Sequence, residues 1–170
     1  MATYENADYV RTRATAVLLE MMEETDYREI RVSELVRRAQ VSRSSFYRNF
    51  TDKDDVLRQH LRYLTAQWRE SLEEGPEQDL SGSLIRHFYA HRDLCLLLHS
   101  SGLFWMVYDH IKEACGVNAD TPSVLAYGKA AWAGAIFGWA EEWTARGMKE
   151  PPEKIKELSA QLASEGEPAQ

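Results

Sequence analysis

Apolar side chains recur at steps of three and four along almost the whole chain, and no alternation of apolar and polar positions is long enough for a strand. The pattern predicts an all-α protein. Val10, Ala14, Val17, Leu18 and Met21 mark one face of a first helix from about Asn6 to Glu24, which "ETDYREI" then breaks. Val32, Leu35, Val36 and Ala39 give a short second helix, with Arg37 and Arg38 turned to water. After the turn "QVS", Ser42 is placed to cap a third helix beginning at Arg43. A fourth helix starts after Thr51 or Asp52, either of which can cap it, with acids in its first turn where the helix dipole favours them.

The stretch 73–83, "EEGPEQDLSGS", has Gly, Pro and Ser without apolar periodicity and reads as a connection. Helices follow near 80–92, 93–100 and 103–115, then a loop at "GVNADTPS" and a long helix from about Ser123 to Arg146. Gly147 stops that helix, and Pro151 and Pro152 start a last one. "ASEGEPAQ" reads as a frayed tail.

Composition and charge narrow the function. The 170 residues are 44% hydrophobic, enough for a packed core. No run reaches the ~18–20 apolar residues of a membrane span, and the start lacks a secretory pattern, so the expected location is cytoplasmic with no membrane partner. Cys95 and Cys115, the only cysteines, are expected to be reduced thiols. Net charge is −7, which argues against a binder that grips polyanions over its whole surface. Residues 1–62, however, hold 11 Lys/Arg and 11 Asp/Glu, and Arg31 to Arg48 includes five arginines against Glu34 alone. The positive charge is local.

It coincides with "SRSSFYRNF", residues 42–50. At about 100° per residue, Phe46 and Phe50 fall on one side of a helix and Arg43, Ser44, Tyr47 and Arg48 on the other. Two short helices, a tight turn and an exposed arginine, hydroxyl and tyrosine face fit a helix-turn-helix whose second helix enters the DNA major groove. Arginine can take guanine edges in bidentate fashion, and serine and tyrosine hydroxyls can reach phosphates. The same face also fits an ordinary solvated helix surface.

The wording "VSELVRRAQVSRSSFYRNFTDKDDVL" resembles the N-terminal DNA-binding domain of the TetR/AcrR family of transcriptional regulators, with Ala39, Val41, Ser42, Tyr47, Phe50 and Lys53 in register. The resemblance spans about residues 8–62. It implies a three-helix helix-turn-helix domain at 1–62 and a helical ligand-sensing and dimerisation domain at 63–170. It also implies a homodimer that binds palindromic double-stranded operator DNA, represses transcription and answers to an unidentified small-molecule effector, with no catalysis and no cofactor. DNA contacts would come from Arg31, Arg43, Ser44, Ser45, Tyr47, Arg48, Asn49 and Lys53. The chain departs from the family at Gln40, where a turn glycine is usual, at Arg31 for a threonine cap, at Ser44 for a glycine and at Asn49 for a histidine.

In the long helix near the C-terminus, Ala130, Ala131, Gly134, Ala135 and Gly138 make a smooth face for close pairing of two chains, joined by an Ile155, Leu158 and Leu162 stripe on the last helix. Tyr89, Phe104, Trp105, Tyr108, Trp132 and Phe137 are candidates for an apolar effector pocket, although aromatic stripes also build plain core. Two rival readings remain. One is a small-molecule-binding helical protein with a vestigial DNA reader. The other is a metal protein using His87, His91, Cys95 and His99, spaced four apart.

Overall fold

The computed structural model describes residues 2–73, 80–116 and 120–165, and the side chains of 7–72, 81–116, 120–158 and Gln161. The expected connection at 73–83, the loop at 116–123 and the tail at 163–170 therefore lie partly outside the described residues. Among the described residues there are nine α-helices and no strand. They are α1 (Ala2–Glu24), α2 (Val32–Arg38), α3 (Arg43–Asn49), α4 (Lys53–Glu73), α5 (Leu80–Ala90), α6 (Arg92–Ser100), α7 (Trp105–Ala114), α8 (Ser123–Ala145) and α9 (Pro152–Glu165). Helix α1 begins four residues earlier than its apolar pattern indicates, since residues 2–5 include no glycine or proline to stop it. The chain divides into two compact units, Met1–Thr65 and Ala66–Gln170, and the division falls inside α4.

The N-terminal unit is built on α1, which packs against α2 and α3. Val10, Ala14, Val17, Leu18 and Met21 are buried on its inner face, opposite Leu35 of α2 and Phe46 of α3. Ser42 caps α3 by accepting from the Ser45 N–H at 3.0 Å. Asp52 caps α4, accepting from the Asp55 N–H at 2.7 Å, while the Asp55 carboxylate accepts from the Thr51 N–H at 2.9 Å. The two ends of that turn thus satisfy each other's backbone donors, as in a capping box.

Between α2 and α3 the chain turns through a Schellman motif: the Gln40 N–H donates to the Arg37 carbonyl and the Val41 N–H to the Val36 carbonyl. The residue beyond the cap then needs the left-handed conformation, and Gln40 takes it with φ 57°. Helices α6 and α8 end on the same bonds but put Gly102 and Gly147 at the left-handed position. Gln40 carries a Cβ where they carry none, so Gln40→Gly should stabilise the N-terminal unit by about 0.5–1 kcal/mol after the larger chain entropy of unfolded glycine is subtracted. For a domain of this size that is a rise of about 3–6 °C in a thermal melt.

In the C-terminal unit α7 and α6 pack on α8, and α9 packs on α5. Leu98, Met106, Val107, Ala133, Ala140 and Trp143 form its core. Thr144, buried within it, donates its hydroxyl to the Ala140 carbonyl one turn back at 2.7 Å. No helix among the described residues is long and apolar enough to cross a membrane.

Candidate nucleic-acid interface

Helix α3 is anchored by its phenylalanines. Phe46 is fully buried and Phe50 nearly so, their ring centroids 5.2 Å apart, while Tyr47 stays 47% exposed on the far side. The guanidinium of Arg43 lies over the Tyr47 ring at 5.7 Å, a contact one turn along the helix that holds two candidate readers side by side.

The three serines form a local network. The Ser42 hydroxyl lies 3.0 Å from that of Ser44 and donates to that of Ser45 at 2.9 Å. Asn49 turns its side-chain amide back onto the Ser45 carbonyl at 2.8 Å, so it closes the helix and is half-buried rather than projecting.

The five arginines divide by partner. Arg38 reaches Glu24 at 2.7 Å and Glu34 at 3.2 Å, and Arg37 lies 3.7 Å from Glu34. Arg31, Arg43 and Arg48 are exposed and meet no acid among the described residues. Arg31 stands at the N-cap of α2 and makes no side-chain cap bond. Their charge is therefore available to an external anion.

Lys53 is placed differently from a free surface cation. Its ammonium donates to the carbonyls of Tyr27 and Ile30, the latter at 2.9 Å, and sits 4.1 Å from the centre of the Tyr27 ring. Desolvation lowers its pKa, with Asp54 and Asp26 opposing. Tyr27 in turn donates its hydroxyl to Asp54 at 2.6 Å, and burial together with that carboxylate pushes the phenol up. Pattern reasoning singled out neither Tyr27 nor Asp54, and it also missed Gln59, whose amide donates to the Asn49 carbonyl at 2.8 Å and ties the end of α3 to α4. These partners lie 10 to 27 residues apart in sequence, so no local signal marks them.

Among the aromatic candidates in the C-terminal unit, Phe104 and Tyr108 meet Phe137, with centroids 5.7 and 5.1 Å apart; Phe104 is buried, and Tyr108 and Phe137 are half-buried. Tyr89 stacks on Trp143 at 5.8 Å. Trp105 and Trp132 are 45% and 63% exposed. On α8, Ala133, Ala140, Trp143 and Thr144 turn inward, while Ala131, Ala135 and Gly138 are exposed and Ala130 and Gly134 half-exposed. Ile155 is buried in its own unit and Leu158 is 39% exposed. The Leu162 side chain lies outside the described residues.

The four-residue ladder His87, His91, Cys95, His99 does not form the metal site its spacing suggested. The helix is interrupted at His91, between α5 and α6, where His87 and His91 stay together with ring centroids 4.9 Å apart. Among the described residues no three His, Cys, Asp or Glu side chains gather as a metal site requires. His87 packs on Trp68 at 5.7 Å and His99 on Phe104 at 5.9 Å. Burial, with His91 and His110 adding to it, lowers the His87 pKa to about 4, and burial pushes the Cys95 thiol up to about 12.

No curated protein matches the chain. Residues 15–59, which run from α1 through α3 into α4, match the model of bacterial regulatory proteins of the tetR family. An anchored α3 with an exposed arginine and tyrosine face lies inside the segment that carries this match, so the N-terminal part of the chain is similar to the helix-turn-helix DNA-binding domain of TetR-family transcriptional regulators.

Proposed function

We propose that the chain represses transcription as a homodimer that reads palindromic operator DNA with α3 of each protomer and releases it when a small molecule binds the C-terminal unit. The observation that carries the DNA contacts is that Arg43 and Arg48, on a helix whose opposite side is fixed by Phe46, and Arg31, at the N-cap of α2, meet no acid among the described residues. In this reading Arg43 addresses a base and an adjoining phosphate, with Ser44 beside it, and Tyr47 and Arg48 address phosphates. Lys53 and Asn49 hold the reading helix in place through backbone carbonyls, and Ser45 accepts a hydrogen bond from the capping serine.

Duplexes enriched from a random pool test the assignment. Tyr47→Phe should weaken all of them by a similar factor of about 3–10, as loss of a phosphate hydrogen bond does, and Arg43→Ala should also relax the preference at one base pair of each half-site. If Arg43→Ala leaves the selected consensus unchanged, base reading belongs to another residue.

Pairing through α8 is supported by its exposed Ala131, Ala135 and Gly138, a smooth strip beside the exposed Tyr127. A Cβ added at Gly134 or Gly138 would meet nothing within 4 Å among the described residues, so their packing does not require these glycines. Gly138→Leu should therefore keep the helical signal and weaken the dimer by about tenfold or more in sedimentation, by overpacking the approach of the second helix. A dimer as tight as the parent would move the interface elsewhere.

A further inference from the structure

Beside the start of α8 runs an open groove of about 670 Å³, lined by Pro122, Val124, Leu125 and Trp132 together with Cys115 and Lys129. Its volume falls within the roughly 300–1,000 Å³ of small-molecule sites. Val124, Leu125 and Trp132 are 87%, 53% and 63% exposed, so the chain's own packing does not occupy their faces. They offer a flat indole and two branched chains to an apolar body.

The polar end of the groove is positive. The Lys129 ammonium donates to the Gly116 carbonyl at 3.1 Å, and the Thr121 hydroxyl donates to the same oxygen at 3.4 Å. One bond fixes the ammonium and leaves it further N–H donors. A Cβ at Gly116 would stand 3.3 Å from Lys129 Nζ, so the glycine keeps that seat open. Arg69 donates to the neighbouring Ala114 carbonyl at 2.6 Å, bringing a second cation to the end of α7. Burial holds the Cys115 thiol above its usual pKa against the pull of Lys129 and Arg69, so the thiol stays neutral and does not cancel their charge. Lys129 and Arg69 thus both act on Cys115 at the end of an apolar groove, in a unit that carries all of the chain's −7. Around α8, Trp132, Leu125 and Lys129 lie roughly 100–160° from Ala131, whereas Val124 lies about 20° from it, so the groove turns away from the strip assigned to pairing and shares only its edge with it.

From this juxtaposition of an apolar groove and a seated ammonium, the geometry points to a binding site for a small amphipathic acid, with its apolar body on Trp132, Leu125 and Val124 and its carboxylate or sulfonate on Lys129. The site stands on the groove itself; its role as the effector site rests on the ligand-responsive reading above.

Calorimetry on the full chain with naphthalene-2-carboxylate and the neutral naphthalene-2-carboxamide tests it. The acid should bind at least about tenfold more tightly than the amide, the value of a charge-assisted hydrogen bond. Lys129→Gln should abolish that preference, Lys129→Arg should restore it, and Trp132→Ala should weaken both compounds. Equal binding of acid and amide, an acid preference that survives Lys129→Gln, or indifference to Trp132→Ala would each overturn the assignment. So would an acid affinity that falls as chain concentration rises, which would give the groove to a second copy. Binding of the expected strength with no change in DNA affinity leaves the site in place and overturns only its role as effector site.

Discussion

DNA affinity should fall by roughly three orders of magnitude between about 50 and 200 mM monovalent salt. Arg31, Arg43 and Arg48 are the cations of α2, α3 and their caps that no acid of the described residues neutralises, and two protomers would bring six of them to the duplex. Each neutralised phosphate releases counterions and contributes about −0.9 to the slope of log affinity against log salt, which makes about −5 for six. Arg37 and Arg38 are held by Glu34 and Glu24 and should add little, as should Lys53, whose ammonium is spent on two carbonyls. Arg43→Ala should therefore flatten the slope by about 2 for the dimer, whereas Lys53→Ala should lower thermal stability and leave the slope nearly as it was. A slope near zero in the parent protein would remove phosphate neutralisation as the source of affinity.

That division of cations marks the limit of what the sequence discloses. Local features are legible: the inner face of α1, the Ser42 cap, the burial of Phe46 and the outward turn of Tyr47 all follow from spacing and capping chemistry within one or two turns. Even the strained turn is visible, because Gln40 stands where a glycine is usual, and the left-handed φ confirms it. Partnerships over distance are not legible. Nothing near Arg38 in sequence announces Glu24, and nothing near Lys53 announces the carbonyls of Tyr27 and Ile30. The histidine ladder misleads for a related reason: His87 and His91 do meet, but spacing of four does not announce that His87 packs on Trp68 and His99 on Phe104. In α8 apolar residues surround the helix, so periodicity alone cannot choose the inward side; packing against α6 and α7 buries Ala133 and Ala140 and leaves Trp132 outside. The groove beside Trp132 draws on residues from the end of α7 and the start of α8, which only the tertiary fold brings together.

Phe46→Ala should be the most damaging single change in the N-terminal unit. The side chain is fully buried, its ring 5.4 Å from that of Tyr47 in an edge-on contact and 5.2 Å from that of Phe50. It belongs to the face through which α3 packs on α1 and α2. Removing a ring from such a site costs about 3–5 kcal/mol, the lost transfer energy plus the cavity left behind. A seven-residue helix has almost no stability of its own, so α3 cannot hold its shape once that anchor is gone. Against a total of roughly 5–15 kcal/mol for a domain, the loss should lower the melting midpoint of this unit by at least about 15 °C. DNA binding should suffer more than stability predicts, because an unanchored α3 no longer presents Arg43 and Tyr47 on one face. Tyr47→Phe is the control: it keeps the ring and should leave stability within about 1 kcal/mol of the parent while still weakening DNA binding. A Phe46→Ala protein that melts with the parent and binds DNA as tightly would mean that α3 is fixed by something other than its phenylalanine face.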